Sequence, residues 1–139
     1  MKGIKKSKKI PLKMKNNICT TKEQSQKLIE LGLDVNTADM VYCVELYKEG
    51  WKYSNEAYPI DGTLEGDDIP AWSLSALLEL IPESIDDNTD NFSQLEMTKK
   101  SISYAFSDGM LRIGFLKENL IDAAYEMVCW LLENKKIVK

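Results

Sequence analysis

An α+β domain, with antiparallel β-hairpins packed against about three α-helices, is the fold class this sequence predicts, and three observations predict it. Asp108-Gly109 sits between two alternating apolar runs, the pattern of a tight hairpin. Capping residues open helix-like stretches at Thr20 and at Asn119. At 139 residues with 44% hydrophobic content, the chain suits one core and hardly two.

The chain is divided electrically. Seven lysines and no acid lie in the first fifteen residues, whereas Tyr53 to Thr98 holds eleven acids and no lysine or arginine. Of 18 bases in total, 11 therefore remain beyond the leader against 22 acids, so the leader is formally +7 and the rest −11. The organisation expected is a flexible Lys-rich arm over 1–18 and a single α+β domain over 19–139. Pro11 breaks any helix in the arm, and the arm carries no aromatic side chain for base stacking. The apolar core of a secretory signal is missing after the lysines, and no run approaches the ~20 apolar residues of a membrane span. A cytoplasmic protein is expected.

Thr20-Thr21-Lys22-Glu23 has the form of a capping box, with Thr20 as cap and Glu23 reaching back. Gly32 can take the left-handed position that ends this helix, with Leu33 packing back on Leu28. Asn36, followed by Asp39, offers a second cap for one turn at most. Met40 to Tyr47 favours a strand, Lys48-Glu49-Gly50 a three-residue hairpin loop, and Trp51 to Tyr58 the returning strand. After a loop, Asp68 can cap a helix with Pro70 in its first turn, Leu74, Leu77, Leu78 and Ile81 on one face, and Pro82 as its stop.

A two-residue loop at Asp108-Gly109 makes paired positions sum to a constant. It sets Phe106 opposite Leu111, Tyr104 opposite Ile113 and Ile102 opposite Phe115, all on one face. Asn119, with Asp122 three residues on, caps the last helix, to about Asn134. Leu120, Ile121, Ala124, Met127, Val128 and Leu131 turn inward there, and the polar stripe of Asp122, Glu126 and Glu133 is narrow enough to imply a largely buried helix.

The chemistry is bounded by what is missing. With no histidine, Ser-His-Asp and Cys-His nucleophiles and His-containing zinc sites are excluded. Cys19, Cys43 and Cys129 match neither a disulfide framework nor a CxxC pair, and read as free thiols. Asp86-Asp87-Asn88-Thr89-Asp90-Asn91 opens like a calcium loop. It then fails, because its sixth position is Asn91 instead of Gly and its twelfth is Met97 instead of Glu. No GK[ST] or GxGxxG follows Gly62 or Gly66. No cofactor and no metal are expected.

Several candidate sites remain. Asp67 and Asp68, near Asp61 and Glu65, suit a magnesium ion or an acid/base pair, although a helix start attracts acids for structural reasons alone. Trp51, Tyr53, Tyr58 and Trp72 suit either a ligand cleft or a core cluster. Arg112 alternates with Leu111 and Ile113 and so faces away from them, where it could hold one anionic group. Asp67, Asp68, Asp86, Asp87 and Asp90 are the acids best placed to meet a basic protein.

The stretches Cys19 to Met40 (CTTKEQSQKLIELGLDVNTADM), Ile69 to Leu80 (IPAWSLSALLEL) and Ala123 to Asn134 (AAYEMVCWLLEN) resemble uncharacterised small proteins of gut Bacteroidota and of their phages and mobile elements. The resemblance spans most of 19–137 and excludes the arm. It implies a genomic setting and brings no activity or functional residue with it. The leading expectation is a non-catalytic cytosolic binding or accessory protein whose acidic surface engages a protein partner. The alternatives are a binder of a small ligand, such as a nucleotide signal in phage counter-defence, and a carboxylate-dependent enzyme. Nucleic acid would be met only weakly, through the arm; no membrane contact is expected, and a homo-oligomer is compatible with the sequence.

Overall fold

Thr21 opens the first helix, and the reason it does so is tertiary. In the computed structural model, which describes residues 18–64, 66–86, 93–107 and 111–136, the capping box is shifted by one residue from the Thr20–Glu23 box that the sequence predicts. Thr21 Oγ1 accepts from the Gln24 amide at 3.0 Å and the Gln24 side chain accepts from the Thr21 amide at 3.0 Å, capping α1 (Lys22–Glu30). Thr20, expected as the cap, is fully buried instead, and its hydroxyl accepts from the Trp72 amide at 3.1 Å. The stop is the expected one. Gly32 has φ 96°, its amide bonds Ile29 O at 2.9 Å, and the Leu33 amide bonds Leu28 O at 3.0 Å, with Leu28 and Leu33 both buried. The next turn, a 3-10 helix over Val35–Thr37, is capped by Asp34 and not by Asn36, whose amide is the donor at 2.9 Å.

The run from Met40 to Tyr47 is two strands and not one. β1 (Met40–Tyr42) and β2 (Val44–Tyr47) part at Cys43, where buried Ser54 takes over the ladder: its hydroxyl accepts the Cys43 amide at 3.1 Å and its amide bonds Cys43 O at 2.7 Å. β2 pairs with β3 (Gly50–Tyr53) from Tyr47↔Gly50 to Val44↔Tyr53, so the loop is Lys48 and Glu49 alone, one residue shorter than expected. β1 joins another sheet, ordered β4-β1-β5, between β4 (Tyr58–Pro59) and β5 (Ile69–Ala71). Pro59 and Pro70 stand on its two edge strands, where a missing amide is tolerated.

The helix expected from Asp68 is therefore corrected. Residues 69–71 are strand, and α2 (Leu74–Leu80) starts after Ser73, whose hydroxyl accepts from the Ala76 amide at 3.1 Å. Its apolar face is as expected: Leu77 and Ile81 are buried, Leu74 and Leu78 half-buried against them, and Pro82 follows.

The third sheet runs β6-β7-β8: β6 (Ser93–Met97), β7 (Ser101–Phe106) and β8 (Leu111–Leu116). Ile102↔Phe115 and Tyr104↔Ile113 pair as the tight turn requires. Beyond Tyr104 a register shift sets Leu111 opposite Ala105 instead of Phe106, and the Asp108-Gly109 turn itself lies outside the described residues. β6, which no sequence signal marked, pairs antiparallel with β7 from Ser93↔Phe106 to Met97↔Ile102.

α3 (Leu120–Glu133), capped by Asn119 Oδ1 on the Asp122 amide at 2.9 Å, lies across this sheet and against α2. Ile121, Ala124, Met127, Val128 and Leu131 are buried with Ile102, Tyr104 and Phe106 in the main core, and Leu120 packs at its margin. A smaller core of Cys19, Tyr42, Ile69 and Ala71 fills the base of the β4-β1-β5 sheet. The molecule is thus a single α+β domain in which antiparallel hairpins pack on helices.

Candidate functional site

The break at Cys43 and the loop after Pro59 together build a recess. Strand β1 contributes Val41, β4 contributes Tyr58 and Pro59, and the loop turns back through Ile60, Asp61, Thr63, Leu64 and Asp68 to line a half-open recess of about 250 Å³ with Cys43 in its wall. Its described lining holds two carboxylates, a thiol and a phenol among aliphatic walls, and no lysine or arginine. Burial, then Asp68 and Glu45, push the Cys43 thiol up from its ordinary 9.0. It stays protonated at neutral pH, which is the wrong state for a nucleophile.

Beside the recess, Glu45 gathers two phenols. Tyr47 donates to Oε1 at 2.7 Å and Tyr58 to Oε2 at 3.2 Å, and both phenols are pushed up, first by this bond. Lys52, opposite Glu45 in the register, sits 5.9 Å from the Tyr47 ring centre and 3.6 Å from Glu49. The polar face of the β2–β3 hairpin is thus internally bonded. The other face carries Val44 opposite Tyr53 and Leu46 opposite Trp51, and it is open: Leu46 is 65% exposed, Trp51 69% and Tyr53 36%. Tyr53 leans to the acidic loop through a 2.7 Å bond to Asp67 O.

The four aromatics named from the sequence are not gathered around one cleft. Tyr58 lines the cavity, and Trp51 and Tyr53 share the open hairpin face. Trp72 is fully buried in the main core, its indole N–H donating to Thr37 Oγ1 at 2.9 Å. Arg112 lies on β8, with its side chain outside the described set. Asp67 and Asp68 are in a loop leading to β5, away from any helix start. Asp86 accepts at its carbonyl from Lys136 at 2.8 Å, while Asp87 and Asp90 lie outside the described residues.

A second recess of about 500 Å³ lies between the 3-10 turn and α2, lined by Asp39 and Glu79. Asp39 is occupied structurally, accepting from the Ser73 amide at 2.9 Å and from the Ser73 hydroxyl. Among the described residues, no three Cys, Asp or Glu side chains gather as a metal site. None of their helices is long and apolar enough to cross a membrane. Cys43, Glu45 and Leu46 carried no sequence signal as site residues. Their role comes from the break between β1 and β2, which depends on Ser54 eleven residues away.

No protein-family model, curated protein or solved structure matches this chain.

Proposed function

We propose that this chain is a cytosolic, non-catalytic binding or accessory protein that uses an acidic surface to engage a basic protein partner, in the setting of a phage or mobile genetic element. The observation that carries the reading is the recess lined by Asp61 and Asp68, set beside an open apolar hairpin face. Acids at a helix start have a structural explanation; Asp67 and Asp68 have lost it, because β5 follows them. An amine-bearing side chain fits such a recess, its methylenes along Val41, Ile60 and Leu64 and its charge toward the carboxylates.

The thiol held protonated at Cys43 and the raised phenols of Tyr47 and Tyr58 favour binding over catalysis, since none is poised as a nucleophile near neutrality. Free Cys19, Cys43 and Cys129 favour a reducing compartment. The resemblance, which spans most of 19–137, supports the genomic setting. For the alternative of a small ligand, the same lining repels phosphate and suits a compact cation better than a nucleotide signal.

The test is binding of a lysine-rich peptide to the full chain across a salt series. Affinity falls steeply as salt rises, and Asp61→Asn with Asp68→Asn weakens it about tenfold, while Asp86→Asn has a smaller effect. Binding that ignores both salt and the paired substitution refutes the reading.

A further inference from the structure

The β2–β3 hairpin is finished on one face and unfinished on the other. Glu45, Tyr47 and Lys52 on the polar face have partners within the hairpin and its neighbours Tyr58 and Glu49. On the opposite face, Leu46 and Trp51 stand cross-strand from each other with most of their surface in water, flanked by half-buried Val44 and by Tyr53. None of these four side chains belongs to either core. A two-stranded ribbon gains little stability from such a face by itself. An exposed tryptophan with a tyrosine on the same strand face belongs to the residue types that anchor a partner, and Leu46 beside Trp51 extends the apolar area they offer.

What covers the face is decided by charge. Residues 44–68 contain seven acids, Glu45, Glu49, Glu56, Asp61, Glu65, Asp67 and Asp68, against two bases, Lys48 and Lys52, a balance of −5. The Tyr53 hydroxyl bond to Asp67 O holds the apolar face against this acidic loop. A second copy would bring two such stretches together, and nucleic acid or an anionic bilayer would meet the same repulsion. A polypeptide segment with a large apolar side chain set between lysines or arginines satisfies both halves of the surface: the apolar group on Leu46 and Trp51, the cations toward Asp67 and the recess holding Asp61 and Asp68.

We infer that the Val44, Leu46, Trp51 and Tyr53 face of the hairpin is the docking surface for a basic polypeptide segment with an apolar anchor. This rests on the proposed function and locates the contact within it. The chain's own lysine-rich leader has similar chemistry, so the experiment separates it from a partner.

The probe is a short lysine-rich peptide carrying two leucines, compared with its Leu→Ser version and with a Lys→Glu version. Each is titrated into the full chain and into Leu46→Ser, Trp51→Ser and Asp61→Asn/Asp68→Asn variants, with tryptophan emission and calorimetry as readouts. Leu46 and Trp51 are exposed, so their replacement leaves the fold intact, as circular dichroism will check. The expected result is a blue shift from Trp51, about tenfold weaker binding for the Leu→Ser peptide and for either hairpin variant, and none for the Lys→Glu peptide. Equal binding of the leucine and serine peptides, lost in the Asp variant but unchanged in the hairpin variants, overturns this inference and leaves the acidic-surface reading standing. No salt-dependent binding of any peptide overturns both. Binding that appears only after residues 1–17 are removed makes the leader the occupant, and a dimer abolished by Leu46→Ser makes it a second copy; either overturns the inference of a separate partner.

Discussion

Thr20 shows how one hydroxyl can be recruited away from a local role. Ser25 donates to Thr21 O at 2.7 Å, so in its 2.8 Å contact with Thr20 it accepts; Thr20 then donates to Ser25 and accepts from the Trp72 amide. Every hydrogen-bonding group in this fully buried corner is used, and the Tyr42 hydroxyl adds a 2.8 Å bond to Thr20 O. Thr20→Val keeps the shape and orphans the Trp72 amide. It should cost about 1–3 kcal/mol in denaturant unfolding, whereas Thr21→Ala should cost about 1 kcal/mol as an ordinary cap loss. The sequence could not rank the two threonines, because the deciding partner lies 52 residues away. Buried titratable groups give the second prediction at this scale. Burial pushes the Cys129 thiol from an ordinary 9.0 up to about 11 and the Tyr104 phenol from 10.0 up to about 12. Folding thus favours their neutral forms, so their contribution is complete below pH 9 and is lost as pH rises through 9 to 12. The denaturant midpoint should fall across that window, and Cys129→Ala should remove only its own share, between pH 9 and 11, leaving the share of the other raised thiols and phenols.

Elements with a complete local signature were legible: the Gly32 stop, the Asn119 cap and the inward face of α3 all match the pattern that predicts them. Elements defined by a distant partner were not. Ile69–Ala71 reads as a helix start because it contains a proline after an acid, yet its pairing with β1 makes it an edge strand. Ser93–Met97 has neither β-branched nor aromatic residues, and it becomes a strand because β7 offers a paired edge while the Leu95 amide bonds Glu83 O at 3.0 Å on its other side. The open hairpin face was half legible: Trp51 and Tyr53 are named from the sequence, whereas Leu46 joins them, and Glu45 falls on the opposite face, only through the register of β2 on β3. Register also constrains Gly114, which faces Ser103 across β7 and β8 so closely that an added Cβ would lie 2.8 Å from Ser103 Cβ. Both atoms are fixed to backbone, so the strands themselves must give. Gly114→Ala should therefore destabilise by about 1–3 kcal/mol, despite the better strand propensity of alanine. Adding Ser103→Gly should restore most of the loss, and a thermodynamic cycle over the two single variants and the double variant measures the coupling. Additive losses would show that the close approach is not the cause.

At the scale of the whole chain, the composition that specifies little chemistry specifies a charge distribution with consequences. The leader is +7 and the remainder −11, so a polyanion approaching the leader also approaches a body that repels it. The screening length is about 10 Å at 0.1 M salt, which is short enough to soften this repulsion and too short to remove it for segments tethered to one another. The leader's lysines are also attracted to the acids of their own chain, so displacing those acids is a cost that a free lysine peptide does not bear when it binds DNA. Counterion release from a duplex favours seven lysines strongly only when they engage phosphates together. The expected outcome is that the full chain binds a random duplex at physiological salt more weakly than about 10⁻⁴ M, the loose end of ordinary non-specific binding. A chain beginning at Asn16 should not bind it detectably, and the isolated peptide of residues 1–15 should bind more tightly than the full chain does. Fluorescence anisotropy of a labelled duplex, with all three species across a salt series, checks this ordering. If the full chain matched or exceeded the free peptide, the acidic body would not be competing with the duplex for its own leader.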